Sequence, residues 1–302
     1  MGGHDGRPIL WAARDEEETG VTRKSRRSGG PIPGPAAPTE AESADKHALY
    51  ERAVQEPEAD VNFAIDAFRS EFGRRAYRLR EDFCGTAAVC RDWVLAHKKN
   101  RAWGVDLNAE TLSWGRAHNL DKLPKKTRRR VALVEGDVRT KRTPPVDVVM
   151  ASNFSYFLFT ERTALLRYLR AARRNLDRQG LLVLDAYGGP ESVQRVEDET
   201  EHDDFSYIWD QDDFDPINRM ATCYIHFTFG DGSALRRAFT YRWRMYTIPE
   251  IRDALADAGF ASSTVYWEGT DAKTGEGDGN YTPQESADPD EAWVCYIVAA
   301  KR

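Results

Sequence analysis

The sequence predicts an α/β protein with a doubly wound, mostly parallel sheet, and three observations carry that prediction. Short β-prone runs alternate with amphipathic helical stretches between Ala76 and Leu184, at the spacing of βαβ units. Acidic or polar residues recur where successive strands should end, at Glu81, Asp106, Asp137, then Ser152 and Asn153. The stretch Leu79 to Ala87, LREDFCGTA, reads as an apolar strand running through a carboxylate pair into a small-residue turn that opens a helix.

The chain of 302 residues is 41% hydrophobic, enough for one large domain with an appendage or for two small domains. A net charge of −6 gives no global reason to bind nucleic acid or an anionic membrane. Cys84, Cys90, Cys223 and Cys295 form no C-x-x-C pair, which argues against a metal site or disulfide framework. No apolar run reaches the roughly 20 residues that a bilayer requires, and the amino-terminal stretch has no apolar signal region. The expected compartment is the cytoplasm.

Taken in order, residues 1–44 are rich in Gly, Pro, Ser and clustered charge and read as a disordered tail. Residues 45–195 form a core unit opened by two helices, one carrying Leu49, Tyr50, Ala53 and Val54 and the other Val61 to Phe68. The first strand is expected over Ala76 to Arg80 with Glu81 at its carboxyl end. Cys84, Gly85, Thr86 and Ala87 form the turn, and Ala88 to His97 the helix. RAWGVDLN is a second strand ending at Asp106, VALVEGDV a third ending at Asp137, and VDVVMASNF a fourth running into Ser152 and Asn153. Helix Thr163 to Leu176 and strand Gly180 to Leu184 follow. Residues 196–247 read as an antiparallel β insertion of three strands, FSYIWDQDDF, RMATCYIHFTFG and ALRRAFTYRWRMYT, with DGS joining the last two. Residues 248–302 return to the core sheet.

The turn has the form of a nucleotide-binding βα connection. Gly85 lets the backbone approach a ligand, and the free N–H groups of the following helix can hold polar atoms. Asp106, at the end of the next strand, stands where a carboxylate accepts hydrogen bonds from ribose hydroxyls. Phe83 and Ala87 occupy places where a glycine-rich turn has glycines.

In this order of elements the chain resembles the class I S-adenosylmethionine-dependent methyltransferases, from about Tyr50 to the end. The resemblance implies a seven-stranded sheet whose last strand, AWVCYIVAA, is antiparallel, preceded by the helix IPEIRDALADAGF. It implies S-adenosyl-L-methionine as cofactor, with S-adenosyl-L-homocysteine as product. Glu81 is then turned toward the methionine part, with Cys84, Gly85 and Thr86 in the binding loop. Asp106 takes the ribose hydroxyls with Leu107 beside it among the cofactor-binding residues, Asp137 and Val138 meet the adenine edge, and Ser152 binds after the fourth strand. Asn153 and Tyr156, in NFSYF, face the transferred methyl and are the candidates to orient an acceptor.

A small-molecule acceptor is the expected substrate. Tyr207, Trp209, Tyr224, His226, Tyr241 and Trp243 of the insertion either line its pocket or pack the extra sheet, and the insertion alternatively makes a homodimer contact. The acidic run from Glu197 to Asp215 either is a solvated face that keeps the insertion soluble or favours an amine acceptor. A methyltransferase acting on RNA or protein is the alternative, supported by Lys122, Lys125, Lys126, Arg128, Arg129 and Arg130. No aromatic stacking residue interrupts that cluster and no NPPY tetrapeptide follows the fourth strand, so nucleic acid is disfavoured. A dehydrogenase is weaker still, because CGTA has too few glycines for a pyrophosphate turn. The long stretch Gly269 to Asp290 is expected to be poorly ordered, either a lid over the site or a surface insertion without a role.

Overall fold

The computed structural model describes residues 37–270, 273 and 277–302. Most of the expected tail lies outside the described residues, but Glu40–Ser43 forms a helical turn, α1, closed by a capping box between Thr39 and Glu42. Helix α2, Lys46–Val54, follows, then α3, Pro57–Phe72. Pro57 stands at the start of α3, where its missing N–H is not needed, and Gly73 ends it in the left-handed conformation at φ 66°.

Five parallel strands make one side of the main sheet: β1 Arg78–Asp82, β2 Arg101–Asp106, β3 Val131–Glu135, β4 Val146–Ala151 and β5 Leu176–Gly188. The connecting helices are α4 Ala88–Ala96, α5 Ala109–Gly115, α6 Lys125–Arg128 and α7 Arg162–Asn175. One face packs on α3 and α4 through Ala64, Phe68, Trp93 and Leu79; the other packs on α7 through Leu165, Tyr168 and Leu169. Both faces are therefore covered, and β4 is buried along its whole length, as a central parallel strand must be.

After β5 the chain leaves the sheet and forms a separate antiparallel one, β6 Val196–Glu201, β7 Ser206–Asp215, β8 Met220–Thr228 and β9 Ala234–Arg244. It has four strands where three were expected. The added β6, VEDETE, is an edge strand whose acidic composition conceals its β pairing. Helix α8, Ile248–Asp257, then leads to β10 Ser262–Thr270, β11 Gly277–Gln284 and β12 Trp293–Lys301.

The main sheet has the order β11-β10-β12-β5-β4-β1-β2-β3, with β12 antiparallel to both β5 and β10. It holds eight strands, one more than expected. The extra one is β11, which pairs antiparallel with β10 inside the stretch expected to be a lid. Tyr281 of that strand packs edge-on against Tyr296 and Phe63 at ring distances of 4.7 and 6.0 Å. Residues 277–284 are thus sheet edge rather than lid, while residues 271–272 and 274–276 of the same stretch lie outside the described residues. Among the described residues no helix is long and apolar enough to cross a membrane.

Candidate active site

β1 runs two residues further than expected, to Asp82, because Arg80 and Asp82 form a fully buried pair at 2.6 Å. Arg80 also donates to the carbonyls of Val138 and Lys141, fixing the turn after β3 against β1. Beyond Asp82 the chain makes a turn with three left-handed residues, Phe83 at φ 58°, Gly85 at 49° and Ala87 at 62°. A side chain in this region costs on the order of 1–2 kcal/mol, so the backbone shape of a glycine-rich turn is held here without two of its glycines. Tethers impose it. Cys84 N–H donates to the carbonyl of Val105, and Gly85 N–H donates to Asp106 Oδ2 at 2.9 Å.

Two glycines outside the turn let it lie that close. A Cβ on Gly115 would fall 2.2 Å from the carbonyl oxygen of Thr86, and one on Gly104 would fall 2.7 Å from Cys84 Sγ. The sequence reading passed over both, although a glycine inside a strand or a helix is itself a signal of close backbone approach. At Gly85, by contrast, a Cβ would have only Thr111 Cγ2 within reach, at 4.0 Å. The turn therefore presents open space above Gly85 and close packing below Thr86.

Helix α5 continues into a π-helical turn, Arg116–Leu120, which aims Asn119 back at the loop. Asn119 Nδ2 donates to the carbonyl of Thr86 at 3.0 Å and to Glu51 of α2 at 2.6 Å. Trp114 Nε1 donates to Asp45, the cap of α2, at 2.5 Å. These contacts place α2 over the carboxyl ends of the strands.

Four carboxylates gather at those ends. Glu81 is buried and accepts from the N–H of Cys90 in the first turn of α4. Burial, reinforced by Asp60 and Asp106, pushes its pKa up to about 8. Asp60 of α3, not singled out in the sequence, accepts from the Tyr296 hydroxyl at 2.7 Å and is pushed by burial up to about 6. Asp185, near the end of β5, accepts from the N–H groups of Asn153 and Phe154 at 2.5 and 2.9 Å, and burial raises it to about 7. Asp106 accepts from Gly85 N–H and Asn108 N–H and keeps lone pairs for further donors. Among the described residues none of the four is paired with Arg or Lys, and no group of His, Cys, Asp or Glu is arranged to hold a metal.

The remaining candidates divide. Leu107 is 73% exposed beside Asp106, an apolar side chain offered to a ligand at the end of β2. The hydroxyls of Thr86 and Ser152 are buried without a partner and retain hydrogen-bonding capacity. Asp137 pairs with Arg139 through several hydrogen bonds of 2.6 to 3.0 Å and stays partly exposed, while the Val138 side chain is buried with its carbonyl held by Arg80. The Cys84 thiol is buried against Gly104, leaving only its backbone to the loop surface. Asn153 and Phe154 are both left-handed, at φ 56° and 53°, held there by Asp185. Tyr156 corrects the sequence reading: it is fully buried and its hydroxyl donates to the carbonyl of Asp185, so it shapes the loop and does not face an acceptor.

The antiparallel sheet closes the other side. One face carries Tyr207, Trp209, Tyr241 and Trp243 toward Tyr50 of α2, Phe154 and Tyr187, with Tyr50 and Phe239 rings 4.8 Å apart and Phe154 and Trp243 rings 5.9 Å apart. Tyr224 and His226, expected with them, lie on the opposite face, where His226 bonds Asp210 at 3.1 Å and accepts from Arg237 N–H. Two open surface grooves, along α1 and the β6–β7 turn and along the β7–β8 turn, lie away from these residues.

No family model and no curated protein sequence matches the chain. Solved structures do. An S-adenosylmethionine-dependent methyltransferase from Clostridium acetobutylicum aligns with a TM-score of 0.62 at 15% identity, covering 84% of this chain and 96% of that one. An S-adenosylmethionine-bound amino pentose methyltransferase from Micromonospora echinaspora aligns at 0.60 and 19%, covering 85% and 96%. A sugar N-methyltransferase from Streptoalloteichus aligns at 0.56 and 17%, covering 92% and 99%. The chain has the class I, Rossmann-like fold of the S-adenosylmethionine-dependent methyltransferases.

Proposed function

We propose that the chain transfers a methyl group from S-adenosyl-L-methionine to a small-molecule acceptor. The observation that carries this reading is the cluster of acidic side chains Asp60, Glu81, Asp106 and Asp185, without an Arg or Lys partner among the described residues, beneath an open Gly85 turn. A ligand with an ammonium and a sulfonium would offset that acidic cluster, and a nicotinamide dinucleotide, whose pyrophosphate is anionic, would add to it. Asp106 is placed for ribose hydroxyls, Leu107 for the adenine ring, and the Gly85 turn with Glu81 for the methionine part.

When bound, the cofactor supplies a methyl carbon already activated by the sulfonium. The chain has then to orient the acceptor in line with it and keep water out. Asn153, held by Asp185, and the aromatic face of the antiparallel sheet provide the enclosure. The solved structures of amino pentose and sugar N-methyltransferases with the same fold support an acceptor of that size. A cytoplasmic location and a dimer through the β6–β9 sheet belong to the same proposal. Calorimetric titration with S-adenosylhomocysteine and with NAD tests it: binding of S-adenosylhomocysteine alone is expected, and binding of NAD alone would sink the reading.

A further inference from the structure

The β period sorts the acidic run. Glu197, Glu199 and Glu201 point to the exposed face of β6, and Asp203, Asp204, Asp212 and Asp213 are exposed as well, Asp204 pairing with Arg52 and Asp213 with Arg195. Asp198 alone turns inward. It stands opposite Trp209 in the β6–β7 ladder, two residues along from the Thr200–Tyr207 pair, so Asp198, Trp209 and Tyr207 share the covered face. Tyr187, two residues beyond Asp185 on β5, packs into the same cluster as Trp209 and Trp243. Immediately beside them Gln211 Nε2 donates to the carbonyl of Glu191, joining the end of β5 to this edge of the sheet.

Asp198 is only 9% exposed, yet among the described residues it accepts no hydrogen bond and meets no cation. Its carboxyl oxygens still reach the surface, and a largely covered carboxylate without a partner is a marker of a site whose ligand supplies the charge. Burial, and after it Glu191, pushes it up to about 6, the response of a carboxylate lacking a counterion. The rings of Tyr187, Tyr207 and Trp209 add π faces, which attract a cation in the same enclosure.

We propose that Asp198, together with Tyr187, Tyr207 and Trp209, seats a protonated amino group of the acceptor, which makes cationic amines the substrate class. This rests on the methyl-transfer reading and concerns recognition; Asp198 is a positioning and specificity residue. The solvent-facing glutamates of β6 play no part in it.

The test uses the full chain saturated with S-adenosylhomocysteine and matched probes, such as glucosamine against glucose and cyclohexylamine against cyclohexanol, with binding followed by ligand-observed NMR. At least one amine is expected to bind about tenfold or more tightly than its alcohol. Asp198→Asn is expected to remove that preference, Asp198→Glu to restore part of it, and Glu199→Gln, on the opposite face, to leave it unchanged. Amines that never outbind their alcohols, or a preference that survives Asp198→Asn in a chain that still binds S-adenosylhomocysteine, would overturn the proposal. The comparison in the unmodified chain stands even if Asp198→Asn fails to fold. Failure of S-adenosylhomocysteine itself to bind would strike the methyl-transfer reading first, which separates the two.

Discussion

The turn after β1 and the sheet of β6 to β9 border the same interior and are built by opposite means. The turn is a backbone device: Asp106 holds the Gly85 N–H, Asn119 holds the Thr86 carbonyl, and Gly104 and Gly115 make room beneath. The sheet is a side-chain device, an ordinary antiparallel ladder whose inner face is set by which residues the β period turns inward. A backbone device admits almost no variation where it packs, yet tolerates unusual residues where the tethers set φ, as Phe83 and Ala87 show. A side-chain device keeps its frame while its surface changes. Under the proposed methyl transfer, the first would suit a constant cofactor and the second a particular acceptor.

The sharpest way to break that contrast is Gly115→Ala. Elsewhere in a helix this substitution stabilises by about 0.5–1 kcal/mol. Here the new Cβ meets the Thr86 carbonyl at 2.2 Å, and we expect a loss of about 1–3 kcal/mol together with a large fall in S-adenosylhomocysteine affinity. Urea unfolding and calorimetry read both, and unchanged values would show that the turn does not depend on close packing.

Asp106→Ala comes next. It removes a charge-assisted acceptor from the Gly85 tether and from the ribose, so S-adenosylhomocysteine should bind roughly ten- to hundredfold more weakly in a folded chain. An unaltered dissociation constant would take Asp106 out of the site.

A smaller effect concerns pH. Glu81 and Asp185, raised to about 8 and about 7, hold protons in the folded chain that the unfolded chain releases near its ordinary carboxylate range. Their contribution to stability is full below the unfolded pKa and is lost as pH rises through the folded one, at about 1 kcal/mol per unit for each group in the window between. The ligand-free chain should therefore weaken between about pH 5.5 and about pH 7.5, and Glu81→Gln should flatten part of that slope. S-adenosylmethionine, a cation, should bind more tightly as the carboxylates ionise. Identical urea midpoints across the window in both chains would rule Glu81 out as the source.

The smallest expected effect sharpens the same contrast. If tethers rather than residue identity set the turn, Ala87→Gly relieves a left-handed side chain while losing a buried methyl, and stability should move by no more than about 1 kcal/mol. Affinity for S-adenosylhomocysteine should stay within about threefold. A tenfold gain would mean instead that the Ala87 methyl holds the cofactor away.

The backbone side of the molecule was largely legible in the sequence, because apolar strand runs and the carboxylates at their ends follow from periodicity. Spacing put Glu81 and Asp106 at the ends of β1 and β2 and Gly85 in the turn between them, while their cofactor roles came from the family resemblance. The π-helical turn that aims Asn119 could not be located, since no residue pattern in Arg116–Leu120 separates a π turn from an α-helical one. Two edge strands escaped for related reasons: β6 is written in acids and β11 in Gly, Asn and Pro, and an edge strand needs fewer apolar residues than a central one. Tyr156 misled because its ring belongs to the core while its hydroxyl suggests chemistry, and only its bond to the Asp185 carbonyl decides between them. Asp198 was submerged in a run of like charges until the ladder register separated it from its neighbours.

Three successive residues of α2 reach three different parts of the molecule. Tyr50 packs on Phe239 of the antiparallel sheet, Glu51 holds Asn119 beneath the cofactor turn, and Arg52 pairs with Asp204 between β6 and β7. A single helical turn thus works as a clasp between the two sheets, and its fastening is mechanical as well as chemical. Undoing that clasp would loosen the Thr86 turn and the β6–β9 sheet in a single event.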